Sequence, residues 1–120
     1  MTTSTVEIKS MDKPDEAQDV PRGRISACTV GGAKITLVHL RPGWTWQRSM
    51  QPIAGTQTCQ VPHTQYVIAG RLEIVMDDGD QHTVAPGDVV HIEPGHLARV
   101  LGDEDFISIE FDPAMAGQFG

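Results

Sequence analysis

Cysteine is scarce in this chain: only Cys28 and Cys59 occur in 120 residues. Two thiols do not make a disulfide framework. The opening stretch, MTTSTVEIKSMDKPDEAQD, also lacks the apolar core of a signal peptide. The expected compartment is therefore the cytoplasm, where thiols stay reduced. Basic residues are scarce as well, nine Lys and Arg against sixteen Asp and Glu, for a net charge of −7. They form no cluster, so nucleic acid is not an expected partner. No apolar run is long enough to span a bilayer, which excludes a transmembrane helix. Sustained helical periodicity is missing, which argues against a helical bundle. Aromatic residues are few, two Trp, one Tyr and three Phe, so a place that concentrates them stands out.

What the chain does have is alternation. From Arg24 onward, "RISACTV" and "AKITLVHL" alternate and are rich in β-branched residues. Gly31 and Gly32 separate them and suit a tight hairpin. "RPG" at 41–43 breaks the run, "WTWQ" follows as a further extended piece, and residues 49–58 read as a loop. A strand then runs to about Ala69, meets Gly70, and resumes from Leu72 to Met76. After the turn Asp77-Asp78-Gly79-Asp80 come "QHTV", "VVHIE", "LARVLG" and "FISIEF", divided by "APGD", "PGH" and "DED". Around nine short strands at close spacing predict an all-β, antiparallel sandwich or barrel. Closure removes exposed strand edges, and a small barrel can hold one small ligand. The barrel is expected over 23–112, after a polar arm at 1–22 and before a flexible tail at 113–120. Within the arm, Thr5–Lys9 alternates and is a candidate strand at a sheet edge or across a dimer.

The pieces "YVIAGRLEI" and "APGDVVHIEPG" resemble parts of the two signatures of the cupin family. The chain is similar in particular to short single-domain cupins with a Pro-Gly-Trp-x-Trp segment and an Asp-Asp-Gly hairpin. The resemblance spans roughly residues 35–111. It implies a single jelly-roll-type antiparallel β-barrel, a small-molecule ligand and a homodimer. In cupins two histidines, a glutamate and a later histidine usually hold one divalent metal inside the barrel. With Gly70 as anchor, those four positions fall on Gln57, Cys59, His63 and Ala98, and His96 stands two residues before Ala98. The usual ligand set is absent, which weighs toward a metal-free cavity. The alternative is one divalent transition metal (zinc, iron, copper or nickel) on Cys59, His63 and His96.

Strand parity supports that alternative on condition. Gln57, Cys59 and His63 share a face if the strand runs unbroken through Pro62, and His96 and Ala98 share another. His63 is the expected catalytic residue with or without metal, because an imidazole both gives and takes a proton near neutral pH. Trp44 and Trp46, at i and i+2, are candidate walls of a binding pocket, with Arg48 at its rim and Gln57 as a further ligand-binding residue. Packing alone explains the tryptophans equally well.

The remaining polar residues have plainer readings. Tyr66 has the opposite parity from His63 and is expected outside the barrel. His39, His82 and His91 are expected at the surface. Glu110 shares a face with Phe106 and Ser108 and could supply the missing carboxylate, although exposure is the commoner state. Asp77, Asp78 and Asp80 are turn residues rather than a calcium loop, and Cys28 is packing. Two function classes follow. One is an enzyme of isomerase, decarboxylase, cyclase or oxygenase type built on His63. The other is a non-catalytic ligand-binding or sensor cupin without metal.

Overall fold

Gly31 and Gly32 both adopt positive φ, 56° and 78°, and close the hairpin between β2 (Gly23–Val30) and β3 (Ala33–Leu40). This computed structural model describes residues 5–111. The tail expected at 113–120 lies outside the described residues. The other strands are β1 (Glu16–Val20), β4 (His63–Ala69), β5 (Arg71–Met76), β6 (Gln81–Val84), β7 (Val89–Ile92), β8 (His96–Leu101) and β9 (Phe106–Phe111). Two four-residue helices, α1 (Trp46–Ser49) and α2 (Gln51–Ala54), lie between β3 and β4. No described helix is long and apolar enough to cross a membrane.

All strand pairs are antiparallel, and the strands fall into two sheets. The larger has the order β1-β2-β3-β9-β4-β7, the smaller β6-β5-β8. The all-β, jelly-roll expectation therefore holds in the form of two facing sheets, without one closed ring of ladder hydrogen bonds among the described residues. Single bridges Thr45–Arg99 and Cys59–His96 tie the connecting segment to the small sheet.

Alternation decides which residues face the core. On β4, Gln65 and Val67 are buried while Tyr66 and Ile68 are exposed. On β9, Phe106 and Ser108 are fully covered, and β5 contributes Leu72 and Ile74. Gly70 makes the corner between β4 and β5 at φ 76°. A side chain there would run into the Asp105 carbonyl, so glycine is needed for space as well as for φ.

Three expectations need correction. The polar arm was to run loosely to residue 22, yet it supplies β1, an edge strand paired to β2 from Glu16–Ala27 to Val20–Gly23. Backbone pairing suffices at an edge, and Lys34–Glu16 at 3.0 Å and Arg24–Asp19 at 3.4 Å add ion pairs. Thr5–Lys9 forms no strand, and Val6 and Ile8 are each 84% exposed. "WTWQ" was read as extended, but helix α1 begins at Trp46. The Thr45 hydroxyl caps it by accepting from the Arg48 N–H at 3.2 Å.

Candidate metal centre in an apolar cavity

Between the two sheets lies a cavity of about 340 Å³, lined mostly by apolar side chains such as Leu40, Trp44, Trp46, Leu72 and Phe106. At one place on its wall four ionisable residues come together: Cys59, His63, His96 and Glu110.

Backbone hydrogen bonds fix two of them. The Cys59 N–H donates to the His96 carbonyl at 2.8 Å, and the Gly95 N–H donates to the Cys59 carbonyl at 2.7 Å. This clamp joins the segment before Pro62 to the start of β8. His63 begins β4, and Glu110 on β9 lies opposite Gln65, so His63 and Glu110 are diagonal neighbours on one sheet face. The His63 Nδ1 is hydrogen-bonded to Glu110 Oε1. The His96 Nδ1 meets the Glu93 carbonyl at 2.8 Å. Both imidazoles thus have Nδ1 occupied as an N–H donor, which leaves Nε2 to face the Cys59 thiol.

The His63 Nε2 lies 3.5 Å from the Cys59 Sγ. One donor atom from each of Cys59, His63 and His96 falls within 4.8 Å of the others. Zinc–nitrogen and zinc–sulfur bonds of about 2.0 and 2.3 Å at tetrahedral angles put the donors roughly 3.5 Å apart. The cluster is thus near the size of a three-ligand site. One thiolate and two imidazoles are a donor set that zinc, iron, copper and nickel accept.

Electrostatics prepare one of the donors and hold a proton on another. Burial pushes the Cys59 thiol up, but hydrogen bonds from His63 and His96 outweigh it and bring the pKa down to about 6. Burial pushes His63 down, but Cys59 and Glu110 outweigh it and raise the pKa to about 9. At neutral pH the pair is a thiolate beside an imidazolium, so the sulfur is already in its ligating form, whereas His63 has to give up its Nε2 proton to ligate.

The structure places each sequence candidate plainly. Cys59, His63 and His96 converge, and Trp44 and Trp46 line the same cavity at 5% exposure each. Arg48, expected at the rim, is exposed and outside the cavity lining, because α1 replaces the strand period that would have put it beside Trp46. Gln57, expected on the face of Cys59, is exposed and outside the lining too. The strand does not continue back through Pro62, since β4 starts at His63 and Cys59 holds only one bridge. Glu110, more readily read as exposed, points inward onto His63. Its parity with the fully buried Phe106 and Ser108 was the signal. Tyr66 is outside, 43% exposed, and His82 and His91 are exposed.

Two facing antiparallel sheets with this site between them define a cupin-type fold. No family model matches the chain, and no curated protein matches its sequence. Solved structures share its fold. Ectoine synthase from P. lautus superposes with a TM-score of 0.65 at 13% identity, over 95% of this chain and 86% of that one. A Rhizobium leguminosarum protein of unknown function gives 0.61 at 17% identity, over 90% and 96%. The polyketide cyclase RemF from Streptomyces resistomycificus gives 0.57 at 15%, over 89% and 80%. At such identities the likeness establishes the fold, and function has to come from the site.

Proposed function

We propose that this cupin binds one divalent transition metal through the Cys59 Sγ and the Nε2 atoms of His63 and His96, and acts as a metal-dependent enzyme on a small molecule. The sequence weighed toward a metal-free cavity because the usual ligand positions are lost. The observation that carries the opposite reading is the convergence of three donors within 4.8 Å, both imidazoles oriented through Nδ1. That ectoine synthase and RemF are enzymes on the same fold agrees with this reading.

A bound ion would supply Lewis-acid polarisation, and redox chemistry as well if it is iron or copper. The chain's own residues do the rest. Glu110 holds His63 in one tautomer and keeps an acceptor oxygen beside the cavity, within which it can take a proton from substrate. Trp44, Trp46 and Met50 wall off water, so charges near the cluster interact strongly. Elemental analysis of the protein purified after metal-supplemented expression tests the proposal. Near one ion per chain is expected, with loss in His63→Ala; metal-free protein would contradict it.

A second reading has one observation behind it. Cys59 and His63 already pair with each other at 3.5 Å, so the cluster satisfies itself without an ion. On that reading the protein is a ligand-binding or sensor cupin, and ligand affinity would be indifferent to chelators.

A further inference from the structure

The outer face of the large sheet is apolar, although nothing in the chain's own small sheet covers it. Leu37, Ile109, Tyr66 and Val89 are register partners in one row across β3, β9, β4 and β7. Strand parity puts Ile107 and Ile68 on the same face. Tyr66, Ile68 and Val89 are 43%, 47% and 74% exposed, and the other three are half-buried. No Asp, Glu, Lys or Arg of these four strands has that parity, in a chain with nine Lys and Arg and sixteen Asp and Glu. Its titratable side chains, His39 and His91, are each already hydrogen-bonded to a carboxylate. An antiparallel sheet that meets water on one side usually turns polar residues to it. A contiguous apolar patch depleted of charge is the mark of an interface.

A second unpartnered surface borders the first. The Gly31 N–H donates to the Glu7 carboxylate at 3.1 Å, and the Cys28 thiol, on the outer side of β2, donates to the Ser10 carbonyl at 3.6 Å. The arm before β1 therefore crosses the outer side of β2, next to β3. Val6 and Ile8 stand out from it on one parity, 84% exposed each.

Area decides how these surfaces combine. Four strands about 4.8 Å apart and five residues at about 3.4 Å each give a face of roughly 300 Å² per copy. Two such faces come to about 600 Å², the range of crystal-packing contacts, whereas a specific interface needs about 1,000 Å². An arm of five extended residues, about 17 Å long and about 5 Å wide, adds about 160 Å² over both partners. Two arms bring the total to about 900 Å², near that threshold. Only a second copy supplies a matching face and a second arm together. Copies that each carry −7 also repel least across a face without acidic residues.

We propose that the chain forms a two-fold dimer in which the outer faces of β3, β9, β4 and β7 pack on each other and Val6 and Ile8 of each arm lie on the partner. The arms are required, because the sheet faces alone fall short in area.

Sedimentation equilibrium of the full chain tests this. A reversible monomer–dimer equilibrium with a Kd on the order of micromolar is expected for an interface of this size. Tyr66→Glu, in the middle of the apolar row, should weaken the dimer by about 30-fold or more. Val6→Ser with Ile8→Ser should weaken it by about tenfold or more, and those residues belong to no strand, so the sheets stay intact. Far-ultraviolet circular dichroism of both variants should match the unaltered chain. If Tyr66→Glu fails to fold, the arm variant still decides. A chain that stays monomeric up to about 1 mM overturns the proposal and leaves the face to a different protein. A dimer whose Kd is unchanged in either folded variant overturns it as well.

Discussion

His63 and His39 each face a carboxylate at or beside the last strand, yet the two pairs differ in what surrounds them. His39 meets Asp105 at 2.7 Å with both side chains more than 40% exposed. His63 meets Glu110 with both side chains near 20% exposed, and a thiol and a second imidazole sit beyond it. The first arrangement is a surface contact, worth little because water competes for both groups. The second has a low-dielectric wall and further donors, so the same two groups become part of a site. A histidine–carboxylate pair is therefore informative only with its surroundings.

Replacing the histidines should break the two pairs unequally. His63→Ala should lower metal affinity by more than about 100-fold, since even outer partners of a ligand cost about 10- to 100-fold. His39→Ala should leave metal content unchanged in the same elemental analysis. Next in size is the carboxylate. Glu110→Gln keeps the shape but weakens the hold on His63 Nδ1, and should cost about 10- to 100-fold in metal affinity by competition with a chromophoric chelator. Asp105→Asn should leave that affinity alone and change stability by less than about 1 kcal/mol in a denaturant titration.

The smallest effect sharpens the contrast through pH. In metal-stripped protein the Cys59 thiolate, read by its ultraviolet absorbance, should titrate near pH 6, and His63→Gln should move that midpoint upward. A lowered thiol pKa contributes stability that is fully present above the ordinary value of 9.0 and is lost as pH falls through about 6. A raised imidazole pKa contributes stability that is fully present below 6.5 and is lost as pH rises through about 9. Between 6.5 and about 9 the pair holds one proton whether folded or unfolded, so the two slopes cancel. Stability should consequently be flat across that window as far as this pair is concerned, while the thiolate signal is already complete.

Much of the frame was legible because it rests on local rules. The double glycine at 31 and 32, the corner at Gly70 and the alternation along β4, β5 and β9 all act within a few residues. For His63 and His96 parity gave only conditional faces, and their inward placement rested on the resemblance to cupins. The connecting segment from Trp44 to Pro62 was less legible. Its helices are one turn each, too short to show a period, so Arg48 was assigned to a strand face that does not exist there, and Gln57 to a strand that in fact starts only at His63. Glu110 was undervalued for another reason. Its place beside His63 comes from pairing across 47 positions of chain, which no local pattern records.

Cobalt(II) binding tests the central claim most directly, because a cobalt–thiolate bond gives a near-ultraviolet charge-transfer band and a tetrahedral site gives intense visible bands. The metal-stripped protein should take up one cobalt per chain and show both. Cys59→Ser should lose the charge-transfer band, with Cys28 unable to replace it. No cobalt uptake, or a charge-transfer band that survives in Cys59→Ser, would contradict a metal centre built on Cys59, His63 and His96.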